Sequence, residues 1–157
     1  MGQQYPFQPS KNSRLVRDLY SQCGQPVFMT IRAYLTSVPF QDPALCQMAI
    51  DTLQDMQTRL TCQVHAYCLM PDHLHFLISP KEDGISVLKF TDQYKGKTTH
   101  LGWALGWKGK LWQPRYYDHI VRSDESLISI SEYILQNPIR KQLVSSVDDW
   151  PWCGINP

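Results

Sequence analysis

The sequence predicts an α+β fold, a central antiparallel sheet with helices packed on it. Three observations predict it. Short apolar, β-branched runs are separated by stretches with helical periodicity. Two of the runs are joined by a tight Pro71-Asp72 turn, which makes them a hairpin. The chain has 157 residues, the typical size of one domain and enough for a real core.

Each element has a local reason. Pro26 to Ala33 (PVFMTIRA) follows a Gly-Gln-Pro punctuation and reads as a strand. Pro43 to Leu60 reads as a helix, with Asp42 as N-cap, Pro43 in the first turn, and Leu45, Ala49, Leu53 and Met56 at helical spacing. Cys62 to Met70 is a second strand. Strict alternation puts Val64, Ala66, Cys68 and Met70 on one face and Gln63, His65, Tyr67 and Leu69 on the other. His73 to Ser79 is the third strand. Ile85 to Leu101 reads as a helix carrying lysines, followed by a Gly/Trp/Lys loop from Gly102 to Gly109. Tyr116 to Arg122 is expected as a fourth strand. A helix capped by Ser123 or Asp124 then runs to Gln136, Asn137-Pro138 breaks it, and a helical turn covers Ile139 to Val144.

Composition excludes several classes. Hydrophobic residues make up 43% and charged residues 18%, ordinary for a soluble globular chain. No run approaches the roughly 18 apolar residues of a membrane span. Met1 to Asn12 is polar and lacks the apolar core of a secretory signal, so a cytoplasmic location is expected. The five cysteines have no regular spacing and no CxxC pair, which argues against a disulfide framework or a structural zinc site. Net charge is only +1, but Lys81 to Arg122 holds eight Lys/Arg against four Asp/Glu. A locally basic segment on a near-neutral chain fits a phosphate-gripping site, although a solvated charged face reads the same way.

Three constellations carry chemistry. In Met70-Pro71-Asp72-His73-Leu74-His75-Phe76-Leu77-Ile78, His73 and His75 are two apart on a strand and share a face. Their imidazoles can converge on one divalent ion, while Leu74, Phe76 and Ile78 point to a core. Two partly exposed histidines on a half-buried strand are the plain alternative. His65 on the neighbouring strand is available as a third zinc ligand, and Asp72 reads as a turn former. In Ser131-Glu132-Tyr133-Ile134-Leu135-Gln136-Asn137, Tyr133 and Asn137 share a helix face if the helix persists. A tyrosine whose proton can leave is a covalent nucleophile. A Tyr packed at a helix end and an Asn capping it before proline are the plain alternative. From Lys108 to His119, basic residues interleave with aromatics, as single-stranded nucleic acid requires, unless Trp112 simply anchors a loop.

Taken in order, "MPDHLHFLI", "LWQPRYYDH", "YILQNPIRKQLV" and "DDWPW" resemble the REP-associated tyrosine transposases of the HUH single-tyrosine transposase superfamily, over roughly Val27 to Trp152. The resemblance implies a ferredoxin-like HUH-nuclease sheet in a catalytic domain spanning 25–157, with 1–24 as a flexible extension. It implies Tyr133 as nucleophile and His73, His75 and Asn137 as ligands of Mg²⁺ or Mn²⁺. The implied substrate is single-stranded DNA with a hairpin at a palindromic repeat, cut and rejoined through a 5′-phosphotyrosine link. Lys108, Lys110, Arg115 and Arg140 are the expected phosphate contacts, and Trp112 a stacking or core residue. Family members act as monomers or homodimers. A repeat-binding relative that no longer cuts, and a zinc hydrolase on His65, His73 and His75, are the rival readings.

Overall fold

A computed structural model describes residues 17–156. The reading of Met1 to Asn12, and most of the extension expected at 1–24, lies outside the described residues. Residues 17–24 do not stand apart from the fold. A 3-10 turn at Arg17–Ser21 carries Tyr20, which is buried in the core and donates its hydroxyl to Asp118.

The sheet has five antiparallel strands. They are β1 (Val27–Ala33), β2 (Cys62–Met70), β3 (His73–Pro80), β4 (Trp112–Ile120) and β5 (Cys153–Ile155), in the spatial order β4-β1-β3-β2-β5. The helices are α1 (Pro43–Arg59), α2 (Val87–Ala104), α3 (Leu127–Leu135) and a single turn, α4 (Asn137–Arg140). This is the α+β architecture expected.

The caps explain where the helices start. Asp42 accepts from Ala44 N at 2.9 Å with Pro43 in the first turn of α1. Ser86 caps α2 and Ser126 caps α3, each accepting the backbone N–H three residues on. For α3 this is two or three residues later than the Ser123 or Asp124 expected. α2 also runs three residues beyond Leu101, so the Gly/Trp/Lys loop is shorter than its composition suggests.

The two faces of the sheet differ. α1 and α2 cover one face, where Met29, Ile31, Leu53, Leu74, Phe76, Ile78, Phe90 and Tyr94 form the main core. The other face carries a smaller cluster of Phe28, Ala66, Cys68, Met70, Leu77, Val121 and Ile134 under α3. A bulge decides which β2 residues belong to which. Val64 pairs with Ile78 and Ala66 with Leu77, so one extra residue, His65, is inserted. Val64 therefore faces the main core while Ala66, Cys68 and Met70 face α3, against strict alternation.

Two strands depart from expectation. β4 begins at Trp112 rather than Tyr116, because it is an edge strand with a register shift that accommodates Pro114. β5, with three residues, was not expected from sequence. It packs where a glycine permits: a Cβ on Gly154 would meet the Tyr67 hydroxyl at 2.8 Å. The closing segment is tied to β2, since Trp150 Nε1 donates to Leu69 O at 3.0 Å and Leu69 N to Trp152 O at 2.8 Å.

Candidate functional site

His73 and His75 sit at the start of β3 on the α3 side of the sheet. Their ring centroids are 4.6 Å apart, nearly edge to face. Each ring is held from behind by its Nδ1. His73 Nδ1 lies 2.7 Å from Asp72 Oδ1, and His75 Nδ1 lies 2.7 Å from Thr30 Oγ1 on β1. Asn137 Nδ2 donates to His73 Nε2 at 3.2 Å, which places the remaining His73 proton on Nδ1, facing Asp72. Both rings thus present Nε2 toward the site, and the Asp72 carboxylate plays the orienting part that ligand histidines commonly require.

Both imidazoles resist protonation. Burial holds His75 well below the usual imidazole range, and His73 with the cations of Arg140, Arg32 and Lys141 pushes the same way. Burial also lowers His73, with Asp72 opposing and Arg32 and Lys141 assisting. Neutral rings are the form that binds metal. The donor set therefore fits a divalent ion: two neutral imidazole nitrogens and, after rotation of its amide, the Asn137 oxygen. Among the described residues no group of three or more His, Cys, Asp or Glu converges as a metal site. His65 does not join the pair. It sits at the bulge, with Nε2 2.7 Å from Ser79 Oγ near the far end of the hairpin.

The helix segment expected to carry the nucleophile approaches the same place. α3 ends at Leu135 and α4 begins at Asn137, so Tyr133 and Asn137 do not lie on one continuous helix. Pro138 occupies the first turn of α4, where its missing N–H has no cost. Tyr133 packs against the smaller cluster beneath α3. The Arg140 guanidinium lies 3.9 Å from the centre of the Tyr133 ring, and its charge is also felt at His75. Tyr133, Arg140, His75, His73 and Asn137 are thus brought into one neighbourhood.

The other expected contacts divide. Lys108 and Lys110 are exposed in the loop before β4, and Lys110 Nζ stands 5.1 Å above the Tyr34 ring. That loop is at the histidine end of the sheet: Tyr34 N donates to Leu111 O, and the neighbouring Ala33 N to Asp72 O. Arg115 is exposed at the bulged start of β4. Of the two roles expected of Trp112, stacking or core, it takes the core one. It is 5% exposed, packs on Phe40 and Tyr94, and donates Nε1–H to Thr98 Oγ1 at 2.8 Å, so it has no face for a base.

Sequence reasoning missed Arg32, Lys141 and Thr30. Arg32 pairs across the sheet with His73 and Thr30 with His75. The available signal was a lone charge at Arg32 in an otherwise uncharged strand. Nothing in the spacing pointed to Lys141.

Residues 27–137 match the family model described as "Transposase IS200 like". A REP-associated tyrosine transposase of Escherichia coli K12 is 29% identical over 90 residues, covering 57% of this chain and 52% of its own. A candidate REP-associated tyrosine transposase of Haemophilus influenzae is 32% identical over 106 residues, covering 58% of this chain and 57% of its own. The chain spans a little over half the length of these curated relatives. A solved REP-associated tyrosine transposase bound to a REP hairpin superposes with a TM-score of 0.74 at 24% identity, covering 92% of this chain and 81% of that one, a likeness of fold. With the family model matched over four of the five strands, both histidines, Tyr133 and Asn137, the chain belongs to the IS200-like transposase family.

Proposed function

We propose that the protein nicks single-stranded DNA beside a hairpin-forming repeat and transfers the cut strand through a tyrosine link. The observation that carries this reading is the meeting of Asn137 with His73 across 64 residues of sequence, next to His75. A structural pair of histidines does not require a third, amide donor delivered by the segment that also bears a tyrosine. The solved relative's REP hairpin supports a hairpin-bearing strand as the partner.

In this reading His73, His75 and Asn137 hold Mg²⁺ or Mn²⁺, which when bound stabilises negative charge developing on the scissile phosphate. Asp72 and Thr30 keep the two rings turned toward the phosphate. Tyr133 gives up its phenolic proton and its oxygen bonds to phosphorus. The P–O3′ bond breaks, and the departing oxygen takes a proton to become a 3′-OH. The enzyme retains a 5′-phosphotyrosine, and a second 3′-OH reverses the exchange, so joining needs no external energy source. Arg140 and Lys141 supply positive charge around this phosphate, and Arg32, Arg115, Lys108 and Lys110 grip the strand on either side of it.

The test is a labelled hairpin-bearing strand incubated with protein and Mg²⁺. A covalent adduct forms, Tyr133→Phe abolishes it, Tyr116→Phe and Tyr117→Phe retain it, and EDTA prevents it. Binding without an adduct, or an adduct that survives Tyr133→Phe, overturns the reading.

A further inference from the structure

The histidine face of the sheet is only half roofed. Among the described residues, α3 packs chiefly over β2, β3 and β5 and meets β1 through the cluster that holds Phe28, and no helix packs to a like extent on β4 on this side. One cross-strand row runs through the site: Tyr117 on β4 pairs with Thr30 on β1, which pairs with His75 on β3. Directly opposed residues of antiparallel strands project from the same face. Tyr117 therefore stands on the face of the metal-binding pair, two strand spacings or about 10 Å from His75. It is 53% exposed, a large aromatic ring left in solvent. Arg32, opposite His73 on β1, and Arg115, two residues before Tyr117, are both exposed. An open ring flanked by two cations, at the unroofed side of a phosphate site, has the makings of a single-strand platform: the ring offers a stacking face and the cations complement the backbone.

We propose that Tyr117, with Arg32 and Arg115, binds the nucleotide adjoining the scissile phosphate, the ring stacking on its base and the guanidiniums contacting flanking phosphates. The inference rests on the nicking function proposed above and adds the path of the strand, which leaves the histidines toward β4 and away from α3. Tyr117 is a positioning residue here and does no covalent chemistry. Trp112, which the sequence offers as either a stacking or a core residue, is buried on the opposite side.

The experiment uses the 157-residue chain and hairpin-bearing strands in which 2-aminopurine replaces, one at a time, the bases flanking the cut. Binding quenches 2-aminopurine at one flanking position with the native protein, Tyr117→Phe and Tyr117→Trp, and does not with Tyr117→Ala. Tyr117→Ala raises the KM for the strand about 5- to 150-fold, as the loss of one stacked base implies, with kcat much less affected, and Tyr117→Phe restores it. Arg32→Gln lowers the slope of log affinity against log salt by about 0.7, one single-strand phosphate contact. Native KM and native quenching in Tyr117→Ala, or an unchanged salt slope in Arg32→Gln, overturns this inference and leaves the Tyr133 adduct standing. No adduct with the native protein overturns the function beneath it.

Discussion

Asp72 gives the sharpest test of the metal arrangement, because its two substitutions separate orientation from charge. Its carboxylate is half exposed and accepts from His73 Nδ1 at 2.7 Å. At that exposure the pair adds at most about 1 kcal/mol to folding, so Asp72→Ala leaves the protein folded. The effect on the ion is larger. Without an acceptor at Nδ1, the His73 ring can turn and the tautomer presenting the Nε2 lone pair is no longer selected. Loss of such an outer partner costs about 10- to 100-fold in metal affinity, equivalent to about 1.4–2.8 kcal/mol. Asp72→Asn keeps an oxygen acceptor in the same place and shifts affinity by less than about tenfold. The assay is the cleavage rate of a hairpin-bearing strand titrated with Mn²⁺. Half-saturation moves up in the order native, Asn, Ala, and saturating Mn²⁺ returns both variants to near-native rates. A native titration curve for Asp72→Ala refutes the reasoning outright. An Asn variant as impaired as Ala shows that charge, and not the fixed tautomer, is what Asp72 provides.

Two further outcomes concern the fold. Ile134 is the one fully buried residue of α3, so Ile134→Ala lowers stability by about 2–4 kcal/mol in urea titration and cuts adduct formation with it; a loss under about 0.5 kcal/mol would mean that α3 is held by other contacts. Stability also depends on pH through the buried histidines. Burial lowers His65, His73 and His75 below the ordinary 6.5, so the unfolded chain takes up protons that the folded protein resists. Stability is therefore full above about 6.5 and falls as pH drops below it, and the urea midpoint declines from pH 7.5 to 5.5. His65→Gln flattens part of that decline; an unchanged slope in this variant shows that His65 does not contribute.

What was legible in the sequence follows from how local each cause is. The start of α1, the β2–β3 hairpin and the shared face of His73 and His75 depend on capping chemistry, turn residues and strand periodicity, all readable within a few positions. The split of β2 between two cores was not legible. The bulge at His65 is a property of pairing with β3, and one inserted residue moves Val64 to the opposite face from Ala66. β4 starts four residues before the expected Tyr116, across Pro114, which a strand tolerates at an edge, and edge position is known only from the assembled sheet. β5 depends on Tyr67 covering Gly154 from another strand. At the site, the resemblance supplied Asn137, but Thr30 and Arg32 gain meaning only through register with His75 and His73.

The break between α3 and α4 changes how the site residues depend on one another. On one continuous helix, the directions of Tyr133 and Asn137 would be fixed together by helical spacing, and any tilt of the helix would move both. Here the chain leaves α3 at Leu135, turns at Gln136 and restarts at Asn137 with Pro138 in the first turn. Asn137 is almost fully buried and engaged with His73, so it is anchored to the sheet. Tyr133 is anchored separately, through the cluster beneath α3. Arg140 reaches back from α4 to lie over the Tyr133 ring and so ties the two short helices across the break. The side chain expected as a phosphate contact therefore packs within the protein as well. Loss of activity on replacing Arg140 mixes lost charge with lost packing, and replacement by Lys, which keeps charge but not the planar stacking group, is the comparison that separates them.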